Sequence, residues 1–396
     1  MLLWILNHIT WKVPSAFTYF STRMILAALT GLLLTIFLGP RFIKKLYELK
    51  IGQSIRSMQE VPLLAELHGK KKETPTMGGI LILFSMVVSL FLWMDLNNVF
   101  TWILLFTTFV LGYVGARDDY LKLKYKNSKG LKARFKMLYQ LGFSFLVAAF
   151  LLFPAISRHS ESKLPTAKEQ ITIKGQVKTT NYTLDQYMSR LYVPFWKDPV
   201  VIFEGLSKIF ALLFFMLVIT GSSNAVNLTD GLDGLAAGCI VMVSVVLAAF
   251  AFLSNHIDFA RYLHILYIEG SGEIGIYLMA LAGASLGFLW YNGYPAQVFM
   301  GDTGSLALGG ILGVSAVLLR REMVLAIAGM IFVAEALSVI IQVLSYRYRN
   351  KKRVFLCSPL HHHFEYKGWP ETKVVIRFWI IGLLFAIISV ASLKFQ

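Results

Sequence analysis

Nine stretches of this chain contain no Asp, Glu, Lys or Arg: residues 24–40, 74–94, 96–116, 137–157, 209–229, 234–257, 274–301, 303–319 and 378–393. A tenth, 323–346, is interrupted only by Glu335. A helix crosses the hydrocarbon core with about 17 to 25 apolar residues. The pattern therefore predicts an all-α polytopic membrane protein, a bundle of ten transmembrane helices with both termini on one side. A soluble globule is excluded by 56% hydrophobic and 15% charged residues, and a disordered chain would need far lower hydrophobicity. Two cysteines cannot make a disulfide scaffold. Cys239 lies in an apolar run and Cys357 in a basic loop, and both read as unpaired thiols.

The pairs Gly234/Gly238, Gly283/Gly287 and Gly309/Gly313 each put small residues on one helix face, which suits close packing in lipid. No GxGxxG follows a strand and no P-loop lysine motif is present, so these glycines are not a nucleotide loop. The whole chain, 1–396, reads as a single integral-membrane domain with an outside loop at 154–199. The first twenty or so residues read as a short interfacial segment, since a basic leader and a small-residue cleavage site are both missing. Within the outside loop, residues 171–180 alternate apolar and polar around Lys174 and Gly175, which predicts a small extracytoplasmic β-hairpin.

The formal net charge of +16 is unevenly placed. Three stretches, between spans 1 and 2, 3 and 4, and 9 and 10, carry 24 of the 38 Lys and Arg residues. Basic loops stay in the cytoplasm, so this face is cytoplasmic and both termini are periplasmic. Long loops cross with less regard to charge, which accommodates the basic residues of the outside segment. Positive charge on so apolar a chain points to membrane lipids and a phosphorylated substrate, with no nucleic acid as partner.

On this topology Asp118 and Asp119 end span 3, Asp230 and Asp233 sit between spans 5 and 6, and Asp302 lies between spans 7 and 8. All five fall on the cytoplasmic face. The two loops holding the last three contain no Lys or Arg, although the other cytoplasmic loops are crowded with them. Carboxylates that hold Mg²⁺, with basic groups near enough to take up leftover phosphate charge, are what a polyphosphate substrate requires. Acids at helix starts can also simply favour the positive end of the helix dipole, a reading that five acids on one face make hard to sustain. Asn224, Asn227, Asp230 and Asp233 recur every three residues; on a helix Asp230 and Asp233 share a face that Asn224 joins only if the chain unwinds.

His361, His362 and His363 are contiguous, so one helix cannot aim all three at one ion and a three-histidine zinc site is excluded. Near phosphate they would donate hydrogen bonds or carry protons; the alternative is a solvated polar turn. Glu335, the one charge deep in a span, reads equally as functional or as a buried hydrogen bond between helices, and stays outside the candidate site.

With these residues assembled, the chain resembles the phospho-N-acetylmuramoyl-pentapeptide-transferases nearly end to end. The resemblance rests on residues 74–79 (TPTMGG), 118–120 (DDY), 129–134 (KGLKAR), 224–235 (NAVNLTDGLDGL), 295–302 (PAQVFMGD), 361–365 (HHHFE) and 367–370 (KGWP). The acidic elements mark the wider superfamily of polyprenyl-phosphate sugar-1-phosphate transferases, and the histidines with KGWP mark the muramoyl-pentapeptide branch. The outside segment 154–199 is longer than is usual for the family.

The resemblance implies a homodimer in the bacterial inner membrane that moves phospho-MurNAc-pentapeptide from UDP-MurNAc-pentapeptide to undecaprenyl phosphate, releasing UMP, with Mg²⁺ as cofactor. It also implies roles for individual residues. Asp302 is the metal ligand, aided by Asp118 and Asp119, which otherwise deprotonate the lipid phosphate. Asn227, Asp230 and Asp233 line the nucleotide site, and Phe299 stacks on uracil. Lys71, Thr76, Lys129, His361, His362 and His363 surround the phosphates and sugar, with His361 also counted among the catalytic residues. Direct attack by the lipid phosphate and a covalent phospho-Asp118 route are both compatible with this assignment. Two rivals stand beside it: a transferase of N-acetylglucosamine-1-phosphate on the same scaffold, and an ion-coupled transporter, which would place its acids near the bilayer midplane.

Overall fold

A computed structural model describes residues 15–49, 74–125, 130–157, 164–173 and 176–394. Ten apolar helices carry the architecture, and they match the ten charge-free stretches in order. They are α1 (Phe20–Glu48), α2 (Gly79–Trp93), α3 (Val99–Lys124), α4 (Ala133–Leu152), α5 (Lys208–Thr229), α6 (Leu235–Ser254), α7 (Gly272–Asn292), α8 (Gly301–Leu318), α9 (Met330–Tyr348) and α10 (Glu371–Ala391). Among the described residues nine are long and apolar enough to cross a membrane, and α2 is the shorter tenth.

α8 is the axis of the bundle, with every residue from Thr303 to Leu318 buried. It packs on α3 and α5, while α7 packs on α1 and α6. The small-residue faces explain how close these helices come. A Cβ at Gly283 would run into the Ala28 backbone of α1, one at Gly287 into the backbone of Leu32, and one at Gly309 into the Ser222 and Ser223 backbone of α5. Large apolar side chains such as Phe37, Phe109, Phe210 and Trp290 face outward, as they must on a surface solvated by lipid.

Three boundaries depart from the charge-free windows. Helix α2 begins only at Gly79, because residues 75–79 run alongside 299–300: Phe299 N–H donates to Pro75 O, Gly78 N–H to Phe299 O, and Gly79 N–H to Met300 O, each at 2.8 Å. The window 274–301 ends as helix at Asn292, leaving an irregular connection before α8. The window 323–346 is two helices, Glu322–Ala328 and α9, divided at Gly329.

The expected hairpin is present. Strands β1 (Ala167–Ile173) and β2 (Gln176–Tyr182) pair antiparallel with Ile173 opposite Gln176, and Tyr267–Ile268 extends the other edge of β1. This layer lies at the far end of α8 from Asp302. Arg320, just past that end, donates through Nε to the carbonyl of Arg190 in the 154–199 segment at 2.7 Å and pairs with Glu322, both groups fully buried. Asp302 and this anchor are separated by the length of α8, about 27 Å. Cys239 is buried and Cys357 half-buried, and no disulfide joins them.

Candidate active site

The C-terminal part of α3 and the first turn of α8 meet across Gly115 and Gly301. A Cβ at Gly115 would collide with the Asp302 backbone, and Gly301 holds a left-handed φ of 73° with Asp119 Oδ2 2.7 Å and Thr76 Oγ1 2.9 Å from where its own Cβ would stand. Glycine is needed at both positions, and the close approach they permit gathers the acids.

Asp118, Asp119 and Asp302 each offer a carboxylate oxygen, and the three lie within 4.8 Å of one another. Asp119 Oδ1 accepts from Asp302 N–H at 3.1 Å, and its Oδ2 accepts from Thr303 N–H at 2.9 Å and from the Thr303 hydroxyl at 2.7 Å. Asp118 Oδ1 accepts from Leu131 N–H at 2.7 Å, just after the left-handed Gly130. Asp302 Oδ1 accepts from Asn227 Nδ2 at 2.8 Å, and the same amide reaches Ser305 Oγ at 2.8 Å.

Cations are present after all. Lys122 Nζ lies 2.6 Å from Asp118 Oδ2, 3.0 Å from Asp302 Oδ2 and 3.9 Å from Asp119 Oδ1, and Lys136 Nζ lies 2.6 Å from Asp302 Oδ2. The loop around Asp302 is free of Lys and Arg only along the sequence; the end of α3 and the start of α4 bring two lysines to it in space. The Lys122 ammonium sits among three carboxylates where a cation would be held, and an all-oxygen donor set suits a hard divalent ion. These acids therefore fit a metal such as Mg²⁺.

The 224–234 segment supplies the adjoining wall. α5 runs helically to Thr229, so Asn224 points instead to Gln140 Oε1, 2.8 Å away, and does not join the aspartates. Beyond Thr229 the chain unwinds. Asp233 Oδ2 accepts from Ala296 N–H at 3.0 Å, Asp233 N–H donates to Glu371 Oε1 at 2.8 Å, and Gly234 N–H donates to Asn292 Oδ1 at 3.1 Å. Asp230 retains some exposed surface, yet desolvation pushes its carboxyl up to about 8, with the charges of Asp302, Asp119 and Asp233 acting in the same direction.

The histidines occupy a short helix, Leu360–Tyr366, and diverge. His361 is fully buried, so a solvated turn is excluded for it. Its ring abuts Gly231, where a Cβ would strike Nε2. His362 Nδ1 is 2.7 Å from Glu365 Oε2. His363 Nδ1 accepts from Leu356 N–H at 3.1 Å, and its ring stands edge-on to Phe355. Glu335 resolves as a buried link between elements: its Oε1 accepts from His361 N–H at 3.1 Å, and its Oε2 is 3.1 Å from His361 Nδ1.

The structure thus gathers Thr76, Asp118, Asp119, Asn227, Asp302 and the half-buried Phe299 around the start of α8, with Asp230, Asp233 and His361 on the adjoining wall. Lys71 and Lys129 lie outside the described residues. Sequence reasoning missed Lys122 as a site residue, although its spacing of four and three from Asp118 and Asp119 put it on their helix face. It also missed Lys136, which carries no local signal.

Comparisons with known proteins identify the family. The model of glycosyl transferase family 4 matches residues 101–320, and signature 1 of the phospho-N-acetylmuramoyl-pentapeptide-transferases matches residues 71–83. Relatives bearing that transferase name include one from Protochlamydia amoebophila, 67% identical over 98% of this chain and 97% of its own length. Others come from Dichelobacter nodosus, 47% identical over 96% of each chain, and Desulfotalea psychrophila, 44% identical over 98% of each. The chain, a polytopic membrane enzyme, belongs to the phospho-N-acetylmuramoyl-pentapeptide-transferase family.

Proposed function

We propose that the chain transfers phospho-MurNAc-pentapeptide from UDP-MurNAc-pentapeptide to undecaprenyl phosphate, forming the lipid-linked diphosphate (lipid I) and UMP. The observation that carries this reading is the convergence of Asp118, Asp119 and Asp302 with Lys122 and Lys136 at the start of α8. Phosphoryl transfer depends chiefly on positioning and charge neutralisation, and this cluster offers both.

Mg²⁺, held by Asp302 with Asp118 and Asp119, would neutralise diphosphate charge when bound. Lys122 and Lys136, now paired with Asp302, are placed to turn toward phosphate oxygens, with Lys71 and Lys129 as further cations. Asp118 takes the proton of the lipid phosphate. Asn227 orients Asp302. Asp230 and Asp233 line the nucleotide wall, Phe299 offers a ring for the uracil, and Thr76, His361, His362 and His363 surround the phosphates and sugar.

The whole chain acts as one membrane domain, a homodimer in the bacterial inner membrane. Its basic stretches adjoin the acidic end of α8, which supports a cytoplasmic site, periplasmic termini and a periplasmic 154–199 segment. The test offers the purified protein UDP-MurNAc-pentapeptide, UDP-N-acetylglucosamine or UDP-N-acetylgalactosamine with undecaprenyl phosphate and Mg²⁺. Sugar on the lipid from the first donor alone is expected. Equal transfer from UDP-N-acetylglucosamine would overturn the assignment of substrate.

A further inference from the structure

Helix α9 carries four polar side chains on one face of an otherwise apolar span, Glu335, Ser338, Gln342 and Ser345, spaced three, four and three residues apart. Three of them grip the segment that follows α9. Ser345 Oγ donates to Lys352 O at 2.9 Å. Gln342 Oε1 accepts from Val354 N–H at 3.0 Å and Phe355 N–H at 2.9 Å, and its Nε2 donates to Phe355 O at 3.0 Å. Glu335, about 20 Å along α9 from its C-terminal end, receives His361. The segment after α9 therefore folds back along the polar stripe, and the histidine helix starts at the stripe's deepest residue.

The Glu335 carboxylate is fully buried and holds His361 twice, through the backbone N–H and beside ring Nδ1. The buried carboxylate beside Nδ1 orients the ring by charge and contact, and the other nitrogen is directed elsewhere. Both ring nitrogens of His361 are buried and neither completes a hydrogen bond among the described residues: Nδ1 stands 3.1 Å from Glu335 Oε2, and Nε2 faces Gly231 between Asp230 and Asp233. A buried imidazole nitrogen without a partner is costly, and a sugar hydroxyl donating to Nε2 at the 230–234 loop would satisfy it.

We infer that Glu335 is a positioning residue: its carboxylate beside Nδ1 sets the tautomer and rotation of His361, so that Nε2 is presented as an acceptor to a hydroxyl of the UDP-sugar bound at the 230–234 loop. The inference rests on the reading of His361 as a substrate contact. It assigns a role to the one ionisable side chain deep within α9, which a purely structural hydrogen bond would leave without consequence for turnover. Carboxylates that orient a working histidine through its second ring nitrogen act in this way in other sites.

A double-mutant cycle tests it. His361→Gln removes the presented nitrogen and is expected to lower kcat/KM about tenfold, the loss of one hydrogen bond from a substrate hydroxyl. Glu335→Gln, with its charge removed, is expected to fall by a similar factor, with the Asp302-dependent reaction otherwise intact. If Glu335 acts through His361, the double variant is no worse than His361→Gln alone; losses that multiply would overturn the inference. Glu335→Asp keeps the charge and is expected to recover part of the activity of Glu335→Gln, and it serves as the second arm should Glu335→Gln fail to fold. No advantage of Asp over Gln, or an Asp variant whose loss multiplies with that of His361→Gln, would equally overturn it. Near-normal efficiency of His361→Gln alone would instead remove His361 from the substrate site, and the inference with it.

Discussion

Asp119 holds Asp302 in place from the neighbouring helix, its carboxylate accepting the Asp302 backbone N–H at 3.1 Å while its other oxygen takes both donors of Thr303. A carboxylate at a helix N-terminus satisfies donors the helix cannot pair and complements its dipole. Here the cap comes from α3, so the two metal-facing acids are mechanically joined. Asp119→Asn leaves one oxygen to do the work of two and places an amide N–H against Thr303. The expected outcome is a lowered thermal midpoint in Mg²⁺-free buffer, corresponding to about 1.5 to 3 kcal/mol, together with lost turnover. Asp302→Asn keeps that cap but gives up its pairs with Lys122 and Lys136, and should lose turnover in a protein that still folds.

Gly231→Ala tests the contact between the 230–234 loop and the histidine helix. A Cβ there meets the His361 ring, whose position Glu335 fixes, so the ring must leave its rotamer. A fall of about tenfold or more in kcat/KM is expected, with little change in expression or thermal midpoint. Unchanged efficiency would show that His361 does not need its observed place. His361→Gln and His362→Gln should each keep their losses when salt is raised, because screening weakens diffuse Lys and Arg attraction far more than a short hydrogen bond.

Asp230 makes the metal-free protein sensitive to pH. Its folded pKa of about 8 stands above the ordinary value of about 3.9 for an unfolded Asp. Between those values the folded state binds more protons, so stability in EDTA falls as pH rises through this window and levels off above about 8. Thermal midpoints in EDTA at pH 6.5 and 8.5 should therefore differ in that direction, and Asp230→Asn should narrow the difference. A divalent cation relieves the crowded negative charge, so the midpoint gain on adding Mg²⁺ should be larger at pH 8.5 than at 6.5. A pH-independent gain would count against Asp230 lying within reach of the metal's field.

Topology is open to direct labelling. Cysteines introduced near Lys45, Lys129 and Lys352 should be shielded from impermeant thiol reagents added outside intact cells, and one near Lys174 should react. Cys357 is half-buried and should first be replaced. Labelling near Lys129 from outside would put the acid cluster on the wrong side for a cytoplasmic UDP-sugar.

How much of this the sequence disclosed depends on the range of each interaction. The apolar windows located all ten helices because lipid leaves the backbone no choice but to satisfy itself within a segment. The hairpin around residues 174–175 was legible because alternation is a local signal. The late start of α2 was not, since it depends on Pro75 and Gly78 pairing with Phe299, more than two hundred residues away. For the same reason Asp302 looked free of cations although Lys136 reaches it from α4. Glu335 showed itself as a buried charge, but its partner lay beyond the end of α9. The stripe Glu335, Ser338, Gln342, Ser345 was there to be counted, and its helical spacing is the signal that would have flagged α9 as gripping its own following loop.

The most direct test of the central claim is UMP release measured with UDP-MurNAc-pentapeptide, undecaprenyl phosphate and a Mg²⁺ titration, using the wild-type chain and Asp302→Asn side by side. The account predicts one UMP for each lipid-linked sugar formed, turnover that vanishes without divalent cation, and no measurable turnover in a folded Asp302→Asn protein at any Mg²⁺ concentration. Substantial UMP release by Asp302→Asn at ordinary Mg²⁺, or wild-type release that continues in EDTA, would contradict it.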